Sequence, residues 1–150
     1  MDRRAVVAEL VALNEVFAQH IALNQAMGLE TVEFGDGFAI LRMPWDERFV
    51  GDPRTGAMHG GAITVLMDSA CGAAAFLGLP RPAAIATLDL RIDSLRSTTR
   101  GQALVCRAEC YKCTRSVAFI RASAYQDDPD DPVAAATATF MIGTHIPVNR

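Results

Sequence analysis

The sequence predicts an α+β protein in which a curved antiparallel sheet wraps one long central helix, with a further helix at the N-terminus. Three observations carry this. The run from Ala62 to Leu79 is small or apolar almost throughout, so the helix it forms has to be covered on nearly every side. Behind it come four segments in which apolar and polar residues alternate, the period of strands. Short turn-rich stretches separate those segments, which favours antiparallel neighbours.

Composition sets the frame. The 150 residues are 51% hydrophobic and 21% charged, which reads as one globular domain spanning 1–150 rather than a disordered chain. A formal net charge of -3 gives no pull toward nucleic acid or anionic membrane. The opening "MDRRAVVAELVALNEVF" carries Glu9 and Glu15 through its apolar positions, so it lacks a signal-peptide core. The apolar run is about long enough to span a bilayer, but Thr64, Asp68, Ser69 and two glycines argue for a buried helix instead. A cytoplasmic protein without membrane or nucleic-acid partners is the expectation.

Taken in order, residues 4–24 place Val7, Leu10, Val11, Val16, Phe17 and Ile21 at helical spacing, giving an N-terminal helical segment within 1–27. "ETVEF-GDG-FAILRMP" predicts two short strands joined through Gly35-Asp36-Gly37. "WDERFVGDPRTGAMHGG" reads as a loop. The central helix is expected from about Gly61 to Leu77, ending near Gly78 with Pro80 beyond.

Strands follow. "AAIATLDLRIDSLR" alternates, placing Leu88, Leu90 and Ile92 on one face and Thr87, Asp89, Arg91 and Asp93 on the other. "QALVCRAECYK" and "RSVAFIRASAYQ" are two more, linked tightly near Cys113-Thr114. "DDPDDP" is a solvated acidic turn, and "VAAATATFMIG" a last strand. Cys110 and Cys113 form a C-x-x-C, but an odd separation in a strand points them to opposite faces. No second pair and no nearby histidine complete a site, so reduced structural thiols are expected, with no metal.

Asp68 is the puzzle, a lone carboxylate in an apolar helix. Buried and unpaired, it would be costly. Either it is tied to backbone N–H groups or a hydroxyl, or it serves as a nucleophile or general base. Gly60 and Gly61 likewise have two readings. They permit a tight helix entry, or they present the free N–H groups of a helix start as an oxyanion hole.

The stretch "TGAMHGGAITVLMDSACGAAA" resembles the signature of the acyl-CoA thioesterases of the hotdog superfamily, in the group similar to the phenylacetate-pathway thioesterases. Gly56, the His59-Gly60-Gly61 triplet and Asp68 carry the likeness. "TLDLRIDSLR" and "KCTRSVAFIRASAYQ" resemble that family's later strands, and the likeness runs from about residue 28 to 143. The resemblance implies the hotdog fold, the Gly60 N–H as oxyanion donor and Asp68 as nucleophile or general base. It implies that His59 shapes the turn near the substrate carbonyl and that the Thr87 hydroxyl holds water. Arg115 with Ser116 matches its coenzyme A-contacting turn. No cofactor is implied, coenzyme A being part of the substrate.

Spacing adds a constraint. Gly60 and Asp68 are eight positions apart, ~12 Å along a helix, whereas a reacting carbonyl lies ~3 Å from both donor and nucleophile. The site is therefore expected at the interface of a homodimer or dimer of dimers. Relatives in the resembling family carry an asparagine before His-Gly-Gly, where this chain has Asp52 or Pro53. An ionised Asp cannot donate as an amide does, so Asp52 is expected to shape the turn. Arg54, Arg96, Arg100 and Arg115 near loop ends are candidates for nucleotide phosphates. Trp45, Phe49, Met58 and Phe76 are candidates for the acyl pocket or the core. The expected function is acyl-CoA hydrolysis. The alternative is a non-catalytic acyl-CoA-binding protein acting as sensor or partner subunit. A hydratase fits less well, because no H-F-P-type motif is present.

Overall fold

The structure, a computed structural model, describes residues 20–143. Most of the expected N-terminal helix lies outside them; the described part is a short helix, Ala22–Ala26. Two strands follow, β1 (Glu30–Gly35) and β2 (Phe38–Met43). They form a hairpin through Asp36 and Gly37, with Gly37 at φ +71°, where a side chain is disfavoured. The expected loop contains more structure than its turn residues suggested. A 3-10 turn, Glu47–Phe49, leads into a small hairpin of β3 (Val50–Asp52) and β4 (Ala57–Met58). The central helix then runs Gly60–Leu77. β5 (Ile85–Ser94), β6 (Leu104–Cys113), β7 (Val117–Tyr125) and β8 (Ala134–Ile142) complete the chain.

Six strands form one antiparallel sheet in the order β1-β2-β6-β7-β8-β5. The central helix packs on its inner face, mainly against β2, β6 and β7. That contact is made of small groups. Ala70, Ala73 and Ala74 of the helix are fully buried, as are Ala39, Ala108, Ala118 and Ala124 of the sheet, so helix and sheet can approach closely. Leu41, Met43, Leu66, Met67, Leu104 and Ile120 fill the remaining space. By length and composition the helix could cross a membrane, but half of it is buried against this sheet. Gly78 ends the helix in an ordinary right-handed conformation (φ -85°). Glycine is required there for room, since a Cβ would stand 2.9 Å from Cys110 Sγ.

Two bulges overturn two expectations of facing. In β5 the register with β8 slips between Thr87 and Asp89. One extra residue reverses the alternation. Thr87 lies opposite buried Phe140, while Leu90 and Ile92 lie opposite buried Ala138 and Ala136. Thr87 therefore shares the helix-facing side with Leu90 and Ile92, and Leu88 at the bulge is 50% exposed. In β6 the register slips between Cys110 and Lys112. Cys110 then pairs with buried Ile120 and Cys113 with buried Ala118, so both thiols face the same side of the sheet. Both are free, and among the described residues no group of three or more His, Cys, Asp or Glu could hold a metal ion.

Candidate active site

The start of the central helix presents a backbone donor. His59 caps it: its backbone is extended (φ -64°, ψ 139°), and its Nδ1 accepts the Gly61 N–H at 2.9 Å. That bond requires Nδ1 to be unprotonated. The His59 carbonyl accepts from the Ala62 and Ile63 N–H groups at 3.0 and 3.4 Å. Of the first-turn donors, the Gly60 N–H alone is left without an acceptor among the described residues. It carries the partial positive charge of the helix start. A Cβ on Gly60 would meet nothing within 4 Å, whereas one on Gly61 would come within 3.0 Å of His59 Nδ1. Gly60 thus opens onto free space, and Gly61 makes room for the cap.

The segment before the helix is anchored from three sides. The His59 N–H bonds to the Phe49 carbonyl at 2.7 Å, the Met58 N–H to the buried Thr98 hydroxyl at 2.7 Å, and the Trp45 indole to the Gly56 carbonyl at 3.1 Å. Gly56 has φ +74° and lies under Arg100. Thr98 escaped the sequence reading, because a threonine in a turn gives no sign that it will be buried.

Asp68 sits two turns further along, half-buried rather than enclosed. The Thr87 hydroxyl donates to its Oδ1 at 3.1 Å. The lone carboxylate therefore has a partner, brought to it by the bulge in β5. Its charge, after burial, helps push the thiol of Cys71 up to about 12.

The remaining candidates are spread out. Asp52 closes a turn: its side chain accepts from the Arg54 N–H at 3.0 Å and from the Arg54 guanidinium, and its carbonyl accepts from Gly56 at 2.8 Å. The Arg54 contacts, above all that of its guanidinium, hold the Asp52 carboxyl below the usual range. Met58 is buried. Phe76 lies in the last turn of the helix, ~24 Å along it from Gly60. Arg96 pairs with Asp131 and Arg100 bonds to the Pro53 carbonyl. Arg115 and Ser116 are exposed in the β6–β7 turn. The Ser116 carbonyl accepts from Ile142, which pairs with Ile85 of β5, so this turn lies at the Thr87 end of the sheet.

Two separate cavities flank the two key groups. One of about 300 Å³ opens beside Gly60, among Met58, Ile63, Ser94, Leu95 and Ser97. Another of about 230 Å³ opens beside Asp68 and shares no lining residue with the first. Within one chain the donor and the carboxylate face different spaces.

A family model described as the thioesterase superfamily matches residues 55–133, which include both groups. The medium/long-chain acyl-CoA thioesterase YigI of Salmonella typhimurium is 29% identical over 147 residues, covering 89% of this chain and 94% of that protein. A crystal structure of a Pseudomonas aeruginosa protein is 37% identical, with a TM-score of 0.78, covering 88% of this chain and 98% of its own. The Escherichia coli PaaI protein from the phenylacetic acid degradation operon shares the fold. It aligns at a TM-score of 0.79 and 18% identity, over 91% of this chain and 95% of its own.

Proposed function

Since this chain belongs to the thioesterase superfamily, we propose that it hydrolyses acyl-CoA thioesters at a site shared between two copies of itself. The observation that carries the reading is the pairing of a free helix-start donor, Gly60, with a hydroxyl-held carboxylate, Asp68. The thioester carbonyl oxygen takes the hydrogen bond of the Gly60 N–H. Asp68 directs attack on the carbonyl carbon, either with its own oxygen or by taking a proton from water. The carbonyl electron pair moves onto oxygen, where the Gly60 N–H stabilises it. Its return expels coenzyme A as the thiolate, which takes up a proton; where Asp68 itself attacked, water then cleaves the acyl–Asp68 anhydride to the free acid and the carboxylate. Thr87 holds Asp68 Oδ1 and leaves Oδ2 for this work.

Distance and the sheet edge support a second copy. Gly60 and Asp68 are ~12 Å apart along one helix, and each faces its own cavity. β5 is ten residues long and, among the described residues, pairs on one side only, with β8. Such an edge invites a partner strand. Its Thr87 end adjoins Asp68 and its Ser94 end adjoins the Gly60 cavity. Two copies paired antiparallel through β5 bring the Ser94 end of one toward the Thr87 end of the other, and so Gly60 toward Asp68 across the interface.

A panel of acyl-CoAs of varied length and aromaticity, followed by thiol release, tests the reading. Turnover is expected, and Asp68→Asn should reduce it by at least about 100-fold in a folded protein. Binding of acyl-CoA without thiol release would favour the binding-only alternative. Full activity in folded Asp68→Asn would remove Asp68 from the chemistry.

A further inference from the structure

β5 and the loop that follows it hold both halves of the site through threonine hydroxyls. At one end of the strand Thr87 donates to Asp68 Oδ1. Past the other end Thr98 accepts the Met58 N–H at 2.7 Å, from a residue 40 positions away. Thr98 is only 6% exposed, and among the described residues only Asn24 is a polar residue as deeply buried. Its loop is fixed to the turn between β7 and β8. The Leu95 and Arg96 N–H groups donate to the Val133 carbonyl at 2.8 and 3.2 Å. The Gln126 side chain accepts from the Thr99 N–H at 2.8 Å and donates to the Thr99 and Gln102 carbonyls, both at 3.2 Å. The hydroxyl therefore hangs from a braced frame. The strand it grips, β4, is two residues long and, among the described residues, pairs only with β3.

We propose that Thr98 is a positioning residue, and that its hydroxyl aims the Gly60 N–H at the thioester oxygen. This rests on the thioesterase reading of Gly60. Gly60 has no side chain to fix it, a Cβ there would meet nothing within 4 Å, and its N–H has no acceptor among the described residues. Its direction is set by its neighbours. On one side the His59 cap holds the Gly61 N–H. On the other, the two preceding N–H groups are held, His59 by the Phe49 carbonyl and Met58 by Thr98. Phe49 belongs to the same excursion between β2 and the central helix, so its bond moves with the segment. Thr98 refers that segment to the six-stranded sheet. An oxyanion donor works only at hydrogen-bond range of the developing charge, and a misplacement of ~1 Å costs about 100-fold in rate. Without the hydroxyl the Met58 N–H is buried with no acceptor, and the segment has to shift to find one.

The test sets Thr98→Val, which keeps the shape and removes the acceptor, against Thr98→Ser, which keeps the hydroxyl. In folded Thr98→Val, kcat and kcat/KM for acyl-CoA hydrolysis should fall together about tenfold, with KM within about twofold, because the donor is engaged in the transition state. Thr98→Ser should recover most of the loss. In the Gly60→Pro background, where the donor is already gone, Thr98→Val should cost less than about twofold more. An unchanged kcat, no rescue by serine, or the full further loss in Gly60→Pro overturns the proposal. Should Thr98→Val not fold, Thr98→Ala, which adds no bulk, takes its place. Isotopic nitrogen in the 11 glycines reads the donor directly by NMR, and Gly60→Pro identifies its amide resonance by removing it. Thr98→Val should move that resonance and Thr98→Ser should restore it, while Gly72 and Gly78, ~18 and ~27 Å along the helix, stay in place. If no thioester is turned over, the thioesterase reading falls by itself, and an unmoved Gly60 resonance is then what overturns the role of Thr98.

Discussion

Thr87 reaches Asp68 across a strand bulge: its hydroxyl donates to Oδ1 at 3.1 Å, from a residue whose neighbour Leu88 is extruded from the register. Without that slip Thr87 would point to the outer face with Asp89 and Arg91. Bulges that re-aim a side chain are common beside active sites.

Thr87→Val keeps the shape and removes the donor. It should lower kcat/KM for the best acyl-CoA about tenfold, close to the worth of one hydrogen bond to a charged group. Thr87→Ser should recover most of the loss. A Val variant as active as wild type would reduce Thr87 to an ordinary strand residue.

The shared site is checked by subunit exchange. Asp68→Ala and Gly60→Pro are made separately, and each is confirmed to fold and dimerise. Proline is suited to the first helical position, and His59 already has the extended backbone that a residue before proline adopts. Random exchange makes about half the dimers mixed, each with one intact site, so activity should return to about a quarter of wild type. No recovery, with exchange demonstrated by mass, would refute the trans arrangement.

Asp52→Asn should change kcat by less than about twofold. Asn accepts the Arg54 N–H bond as Asp does, and the ion pair it loses is exposed and of little worth. A change above about tenfold would assign Asp52 a part in turnover.

Alkaline stability should report Cys71. Burial, with the Asp68 charge second, lifts its thiol from 9.0 to about 12. Between those values the unfolded chain gives up the proton and the folded chain keeps it. The stabilisation is complete below about pH 9 and is lost as pH rises toward 12, at roughly 1.4 kcal/mol per pH unit. Cys106 is shifted the same way. Urea unfolding at pH 8, 9, 10 and 10.5 should show a falling midpoint, with a shallower slope in Cys71→Ala. Equal slopes in the two proteins would rule out the assignment to Cys71.

Much of the architecture was legible in the chain itself. The apolar run after His-Gly-Gly and the glycine at Gly78 mark the central helix to within a residue of its observed ends. Asp36-Gly37 marks the first hairpin, and alternation marks the four later strands to within two residues. These are local properties, set by side-chain period and by which residues accept a turn.

Facing was not legible. Strict alternation through Leu88 and Tyr111 turns Thr87 away from the helix and sets Cys110 and Cys113 on opposite faces. At both positions the register slips by one residue. A bulge leaves no mark in the hydrophobic period, since it arises from how a curved sheet meets its neighbour strand and the helix beneath it. The cavity beside Asp68 has the same origin: it exists because the short helix, the central helix and β8 converge there. By itself, the sequence determined the central helix, the first hairpin and the four later strands, and which residues carry charge near the helix. Only the tertiary structure decided which of those residues meet, because pairing register and packing are set by partners distant along the chain.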